Sequence, residues 1–166
     1  MMRVLARTLL SLPALVLWAH TALAQGMAVD IAQTVVKKQL AQGVSMDDAV
    51  DSMKLRANQL NMKLVAELPL SKQIEAMGQK SRRMEIFQFC DPLIAKQMVE
   101  YDMNFAAYLP CRITLVEDKD GHGWLVMMNL DMFLQGGHLP PELKKLGIEV
   151  RDKLNSIMDA GVKGEL

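Results

Sequence analysis

Two cysteines are the only thiols in the chain, and the residues next to each could make its sulfur reactive. Cys90 directly precedes Asp91 and Pro92, which predict a helix N-terminus because Asp is a good N-cap and Pro suits the first helical position. The positive end of a helix macrodipole favours a thiolate there, although the Asp91 carboxylate competes for the same backbone donors. A thiol enzyme would use Cys90 as nucleophile and Cys111 as resolving thiol, with Arg112 favouring an anionic substrate.

The sequence leaves three interpretations of the two sulfurs open. They are two buried apolar side chains, a structural disulfide, or a functional pair that is redox-active or ligates a soft metal. A disulfide would close a loop of about 20 residues and add roughly 3 kcal/mol in the chain-entropy model. The chain contains no CxxC redox motif and no CxxCH haem motif, so neither motif supports the functional pair. A joint site requires the sulfurs of Cys90 and Cys111 to lie close together.

Methionine is abundant, at 14 residues, and thioether plus thiolate is a suitable ligand set for monovalent copper. Most of these methionines occupy apolar positions of predicted helices and strands, where they serve as flexible core residues. Met98, Met103 and Met127 remain near the cysteines, without the repeated Met-x-x-Met array of a copper carrier. No metal motif is established, and the candidate metal ligands are Cys90, Cys111 and Met103. The candidate ligand-binding residues are Phe89, Cys90, Met98, Met103 and Cys111.

The remaining polar residues show no ordered site. Glu117, Asp118 and Asp120 share an acidic turn that lacks the ordered ligand spacing and terminal glutamate of a calcium loop, so we interpret it as a solvated turn, in which His122 also lies. His138 lies in a glycine-containing loop, and a lone loop histidine is ordinarily solvated. The sequence has no phosphate loop, nucleophile elbow, HExxH motif or dinucleotide fingerprint, and therefore indicates no particular reaction or cofactor.

The amino terminus has the pattern of an export signal. Two arginines precede an apolar stretch at residues 8–19, and small residues at 22–24 predict cleavage after Ala24. The stretch is shorter than the roughly 20 residues that a helix needs to cross ~30 Å of hydrocarbon. We predict a signal peptide at 1–24 and one mature domain at 25–166, exported to an oxidising compartment such as a periplasm and not membrane-spanning.

Charge and composition limit the function further. The chain has 19 Lys+Arg and 19 Asp+Glu, and losing the two signal-peptide arginines makes the mature protein slightly acidic. This balance excludes a nucleic-acid binder that acts through a strong positive field. With 51% hydrophobic and 23% charged residues, the composition is globular rather than disordered or coiled-coil.

The elements that position the cysteines follow from hydrophobic periodicity. Helices are predicted at 45–60, at 71–77, from Pro92 onward and at 140–161, with Ser45 as the first cap and Gly161 as the last stop. Alternation predicts strands at 62–68, 84–90, 111–116 and 124–130, the last two forming a hairpin. Residues 31–40 fit a strand or a helix. This order predicts an α+β domain in which two long helices cover one face of a single, mainly antiparallel sheet.

The second face of such a sheet has to be solvated, filled by a ligand or covered by a second subunit. We expect Phe87, Phe89, Val116 and Met127 to contribute to the apolar surface that needs covering there. A partner or a ligand groove is therefore expected on this face.

Two segments carry a resemblance to a known family. Residues 86–92 (IFQFCDP) and 109–113 (LPCRI), followed by an acidic glycine turn, resemble the "domain of unknown function 302" family. The resemblance extends from about residue 34 to residue 160. It implies a small α+β fold of the TATA-binding-protein-like type, often dimeric, in which residues 31–40 form a strand. It implies no settled activity and no role for the matched residues Cys90, Pro92, Pro110, Cys111 and Arg112.

Together these observations favour an exported, non-enzymatic accessory protein that binds a small ligand or a soft metal near Cys90 and Cys111. The ligand would be apolar or sulfur-linked, and the protein a homodimer. One alternative is a thiol-dependent redox or sulfur-transfer enzyme that uses Cys90. The other is a purely structural or interaction domain.

Overall fold

The fold is built on one five-stranded sheet whose neighbouring strands are all antiparallel, in the order β1-β5-β4-β3-β2. The structure is a computed structural model that describes residues 30–136 and 138–165, and the predicted signal peptide lies outside these residues. The strands are β1 (Val35–Gln39), β2 (Lys63–Leu68), β3 (Met84–Cys90), β4 (Cys111–Glu117) and β5 (Gly123–Met128). The helices are α1 (Met46–Gln59), α2 (Leu70–Ala76), α3 (Pro92–Tyr101), α4 (Leu130–Gly136) and α5 (Pro141–Lys163), with 3₁₀ turns at Ile31–Thr34 and Met103–Tyr108. The predicted α+β class is confirmed.

The two long helices begin as the sequence predicts, but the last one ends differently. The Ser45 hydroxyl accepts a hydrogen bond from the Asp48 N–H at 3.0 Å, and the Asp48 carboxylate accepts from the Ser45 N–H at 3.4 Å, forming a capping box. The predicted stop at Gly161 is wrong, because α5 continues to Lys163 and Gly164 takes the left-handed conformation, with φ of 64°. Gly161 is buried inside the helix instead.

Helices α1 and α5 cover one face of the sheet and form the main core with it. The strands contribute Phe87, Phe89, Ile113, Leu115, Leu125 and Met127 to this core. The expectation that Phe87, Phe89 and Met127 help to form the uncovered face is wrong, since they are 0%, 0% and 6% exposed under the helices. Strand alternation separates two faces, but it does not identify the face that the helices cover.

We call the opposite side the open face of the sheet. It carries the alternate strand residues, among them Met84, Ile86, Arg112, Val116 and Val126, and the apolar ones are half-buried. At one edge of the sheet, β2 has a register shift between Leu64 and Ala66. Across residues 30–136 and 138–165, the helices lack the combination of length and apolar character needed to span a bilayer.

Candidate functional site

Three strand termini meet at one end of the sheet. Strand β3 ends at Cys90, β4 begins at Cys111 and β5 ends at Met128. Because the neighbouring strands are antiparallel, these termini lie side by side. Helix α3 follows β3 and α4 follows β5, each after one residue, so two helices begin at this end of the sheet.

An apolar cavity of about 110 Å³ lies at this end, between the sheet, α3, α4, α5 and the 3₁₀ turn Met103–Tyr108. Its wall contains Met62, Cys90, Asp91, Ile94, Ala95, Met98, Phe105, Tyr108, Leu109, Cys111, Met128, Leu130, Phe133, Leu134, Leu139, Gly147 and Val150. A cavity of about 150 Å³ with apolar walls stays dry and binds benzene. This space is therefore suited to a small apolar molecule or to part of a larger one.

Two aromatic rings contribute to the wall of the cavity. Tyr108, at the end of the 3₁₀ turn, and Phe133 of α4 meet edge to face, with ring centroids 4.8 Å apart at 63°. Such aromatic pairs contribute about 0.5–1.5 kcal/mol beyond the area that they bury. Tyr108 and Phe133 are nevertheless 42% and 41% exposed, so the pair lies between the cavity and solvent.

Asp91 fixes the start of α3 and joins it to α5. Its Oδ1 accepts hydrogen bonds from the N–H groups of Leu93 and Ile94, both at 3.2 Å, and its Oδ2 lies 3.1 Å from Lys153 Nζ. Burial opposes ionisation of the carboxyl, but the Ile94 N–H and the Lys153 ammonium outweigh it and hold the pKa of Asp91 below its ordinary value. The predicted cap is therefore present and ionised at neutral pH.

Both cysteines are free thiols that line the cavity and are half-buried. Burial, with a smaller contribution from Cys90, raises the pKa of Cys111 to about 11, against the lowering effect of Arg112. Burial and the Asp91 carboxylate also raise the pKa of Cys90. The expected thiolate at the α3 N-terminus is thus not favoured. The Leu93 and Ile94 N–H groups, which would otherwise stabilise a thiolate at Cys90, donate to the Asp91 carboxylate instead.

The other predicted site residues divide into two groups. Met98 is buried and lines the cavity with the cysteines. Phe89 is completely buried in the main core, Met103 is 81% exposed, and neither belongs to the cavity wall. Arg112 is exposed on the open face, next to Cys111 in sequence. The ring-bearing residues Tyr108 and Phe133 were not predicted, because their elements are too short to show periodicity.

The acidic turn is organised by hydrogen bonds to Asp118. Its Oδ2 accepts from Trp124 Nε1 at 2.8 Å, and its Oδ1 accepts from the N–H groups of Asp120 and His122, both at 2.9 Å. The Trp124 contact and the two backbone contacts lower the pKa of Asp118 to about 2. Ligand atoms of Asp118, Asp120 and His122 lie within 4.8 Å of one another. These contacts account for the cluster as the end of the β4-β5 hairpin.

The fold and the site define a small α+β protein with helices on one sheet face and a thiol-lined apolar cavity at the end of the sheet. The family "Domain of unknown function DUF302" matches residues 36–161, and the chain belongs to this family. The crystal structure of an uncharacterized conserved DUF302 protein from Bacillus stearothermophilus is similar, with a TM-score of 0.64 and 16% sequence identity, over 76% of this chain and 97% of that chain. This similarity shows a shared fold. No curated protein matches the chain.

Proposed function

We propose that this protein binds a small apolar ligand in the cavity beside Cys90 and Cys111. The supporting observation is a space of about 110 Å³ with almost entirely apolar walls. Globular proteins are normally close-packed inside. Natural cores contain few voids larger than a water molecule, and an apolar void gives up contacts that packing would otherwise supply. A ligand restores those contacts.

Burial of the ligand supplies the affinity. A protonated thiol behaves as a small apolar group, so the two cysteines extend the apolar wall rather than mark a charged site. Each buried methylene is worth about 0.8 kcal/mol. A ligand that buries roughly six carbons therefore gains about 5 kcal/mol from burial, and the cost of immobilising the ligand is subtracted from this gain.

Methyl NMR of the methionines tests this proposal, because the chain places reporters in both regions. Benzene and 1-hexanol are titrated into protein with labelled methionine methyl groups. We expect saturable shifts at Met98, which lines the cavity, and none at Met53, which is fully buried in the main core. Ala95→Leu places a larger side chain in the cavity and should abolish the shifts. Ala76→Leu, at an exposed position of α2, is the matched control.

The outcome that overturns the proposal is equally direct. Unchanged Met98 signals at saturating benzene and hexanol would mean that the cavity does not take small apolar molecules. Equal shifts at Met53 and Met98 would indicate non-specific partition into the protein rather than a site.

A soft metal is the second candidate, because sulfurs of Cys90, Cys111 and Met98 belong to residues that line the same cavity. Cu(I) binding would require loss of the thiol protons, which the raised pKa values oppose. A competition titration between the protein and a Cu(I) chelator tests this candidate. Metal retention that disappears in both Cys90→Ser and Cys111→Ser would support it.

The same raised pKa values disfavour the alternative of a thiol enzyme that uses Cys90.

We propose in addition that the protein is exported and forms a homodimer. The arginine-containing, apolar amino terminus supports export, and mass spectrometry of the periplasmic fraction should find a chain that begins after Ala24.

On the open face, a row of half-buried side chains supports the dimer: Met84, Val116 and Trp124, which are aligned by strand register. Sedimentation analysis should then give twice the chain mass, and Val116→Glu should give a monomer.

A further inference from the structure

A groove on the open face adjoins the cavity. Its wall shares Tyr108, Cys111, Met128, Leu130 and Phe133 with the cavity wall. The two spaces therefore lie on either side of the same few side chains at the end of the sheet. The rings of Tyr108 and Phe133 belong to both walls and are 42% and 41% exposed, so they form part of the boundary between the two spaces.

Arg112 gives the groove its charge. It is the one charged residue among those described that line the groove, and its side chain is exposed. In the described part of the chain, Arg112 has no carboxylate partner. It follows Cys111, which lines both spaces, and its side chain leaves β4 on the open face, opposite to that of Cys111.

The strand residues that surround Arg112 on the open face carry no negative charge. Its neighbour on β3 is Gln88. On β5 its neighbour is Met128, because Ile113 pairs with Met127 and the two strands are antiparallel. No Asp or Glu occurs among the strand residues that share its face, while Lys37 and Lys63 do. A guanidinium beside apolar surface, without a carboxylate of its own, presents paired N–H donors to a ligand carboxylate.

We propose that the ligand is a small anionic amphiphile, an alkyl carboxylate whose tail occupies the cavity and whose head binds Arg112. This inference rests on the proposed function, since the tail site is the cavity itself. The cavity supplies affinity through burial of methylene groups, and Arg112 supplies the preference for a negative head. A charge-assisted hydrogen bond is stronger than a neutral one, so the carboxylate should bind more tightly than the alcohol with the same tail.

Matched ligands separate the two parts of the site. Butanoate, hexanoate and 1-hexanol are titrated at neutral pH, with the Met98 methyl signal as the readout. We expect hexanoate to bind about tenfold more tightly than 1-hexanol, as one charge-assisted contact predicts. Each added methylene should tighten carboxylate binding about fourfold while the tail remains inside the cavity.

Two variants locate the head group. Arg112→Gln should remove the preference for hexanoate and leave the affinity for 1-hexanol unchanged. Lys63→Gln is the matched control, because Lys63 is an exposed cation on the same face that does not line the groove. It should leave both affinities unchanged. Unaltered Met53 signals confirm that each variant is folded.

The possible failures are distinguishable. If 1-hexanol binds and hexanoate has no advantage, the amphiphile inference is overturned and the apolar cavity function stands. If neither compound shifts the Met98 signal, both proposals fail. A hexanoate preference that survives Arg112→Gln, or that Lys63→Gln removes instead, would overturn the assignment of the head group to Arg112.

Discussion

The helix-covered face of the sheet is filled differently at its two ends. Beneath α1 and the second half of α5, the core is packed so closely that a Cβ on Gly161 would lie 2.6 Å from Met53 Cγ. Beneath α3 and the first half of α5, about 110 Å³ is left open. Both regions use aliphatic side chains and methionine. The difference therefore lies in what covers the sheet: two long helices at one end, and short elements joined by half-exposed rings at the other.

The largest effect should separate the two regions through matched phenylalanines. Phe87→Ala empties a fully buried position in the main core and should cost about 3–5 kcal/mol of unfolding free energy. Phe133→Ala removes a ring that is 41% exposed beside an existing space, so its cost should be about 1 kcal/mol. Urea unfolding of both variants measures the contrast. Equal losses would show that the cavity region is packed as tightly as the core.

Two glycines of α5 provide the second test. At Gly161, a Cβ would also lie 3.1 Å from the Ala49 carbonyl oxygen, so Gly161→Ala should destabilise by about 1–3 kcal/mol. At Gly147, the nearest atom is the terminal Leu134 Cδ2 at 2.7 Å, and this side chain can turn toward the cavity. Gly147→Ala should therefore be stabilising by up to about 1 kcal/mol, from helix propensity. Thermal unfolding would contradict the comparison if both variants were destabilised alike.

The third prediction concerns the polar link between the regions, which Asp91 and Lys153 form. Asp91→Ala removes the α3 cap and should cost about 1 kcal/mol at neutral pH. The folded-state pKa of Asp91 lies below the ordinary 3.8, so its ionised form stabilises the fold fully above that pH. This contribution decreases as the pH falls from about 4 through the folded-state pKa.

The variant Asp91→Asn isolates the charge, because the amide oxygen still accepts the α3 N–H bonds. Its stability should converge on that of the unmodified protein as the pH is lowered below about 4. Chemical denaturation between pH 2 and pH 7 measures this convergence. A constant difference across that range would mean that ionisation of Asp91 contributes nothing to stability.

The smallest effect is on reactivity rather than stability. In Cys90→Ser protein, alkylation of Cys111 by iodoacetamide should rise with pH toward a midpoint above the ordinary 9.0, because burial, the largest cause of the raised pKa, remains when Cys90 is removed. A ligand bound in the cavity should slow the alkylation further, because Cys111 is part of the cavity wall and the ligand would cover it. A midpoint at or below 9 would mean that the cavity wall does not raise the pKa of Cys111.

Long, periodic elements could be predicted from the sequence. The predicted helix at 45–60 and strand at 84–90 correspond to Met46–Gln59 and Met84–Cys90, because capping residues and regular spacing mark them locally. The approach of Cys90 to the α3 N-terminus followed from the same signals. These features depend on neighbours within one turn or one strand.

The cavity could not be predicted, because it depends on short elements and on the choice of covered face. The strand predicted to reach Leu130 ends at Met128, and α4 begins at Leu130. Neither α4 nor the 3₁₀ turn Met103–Tyr108 is long enough to show a periodic stripe. The two faces of β3 are both apolar in sequence, so the burial of Phe87 could not be distinguished from that of Ile86.

Within residues 30–136 and 138–165 the sheet is open, so β1 and β2 each leave one side of the backbone without a strand neighbour from these residues. Strand β1 has five residues and carries Lys37 and Lys38, while β2 begins with Lys63 and is bulged between Leu64 and Ala66. Short edges, lysines and bulges discourage strand addition from another molecule. These features of the two edges therefore disfavour fibrillar growth and leave the sheet faces and the helices as the surfaces better suited to assembly.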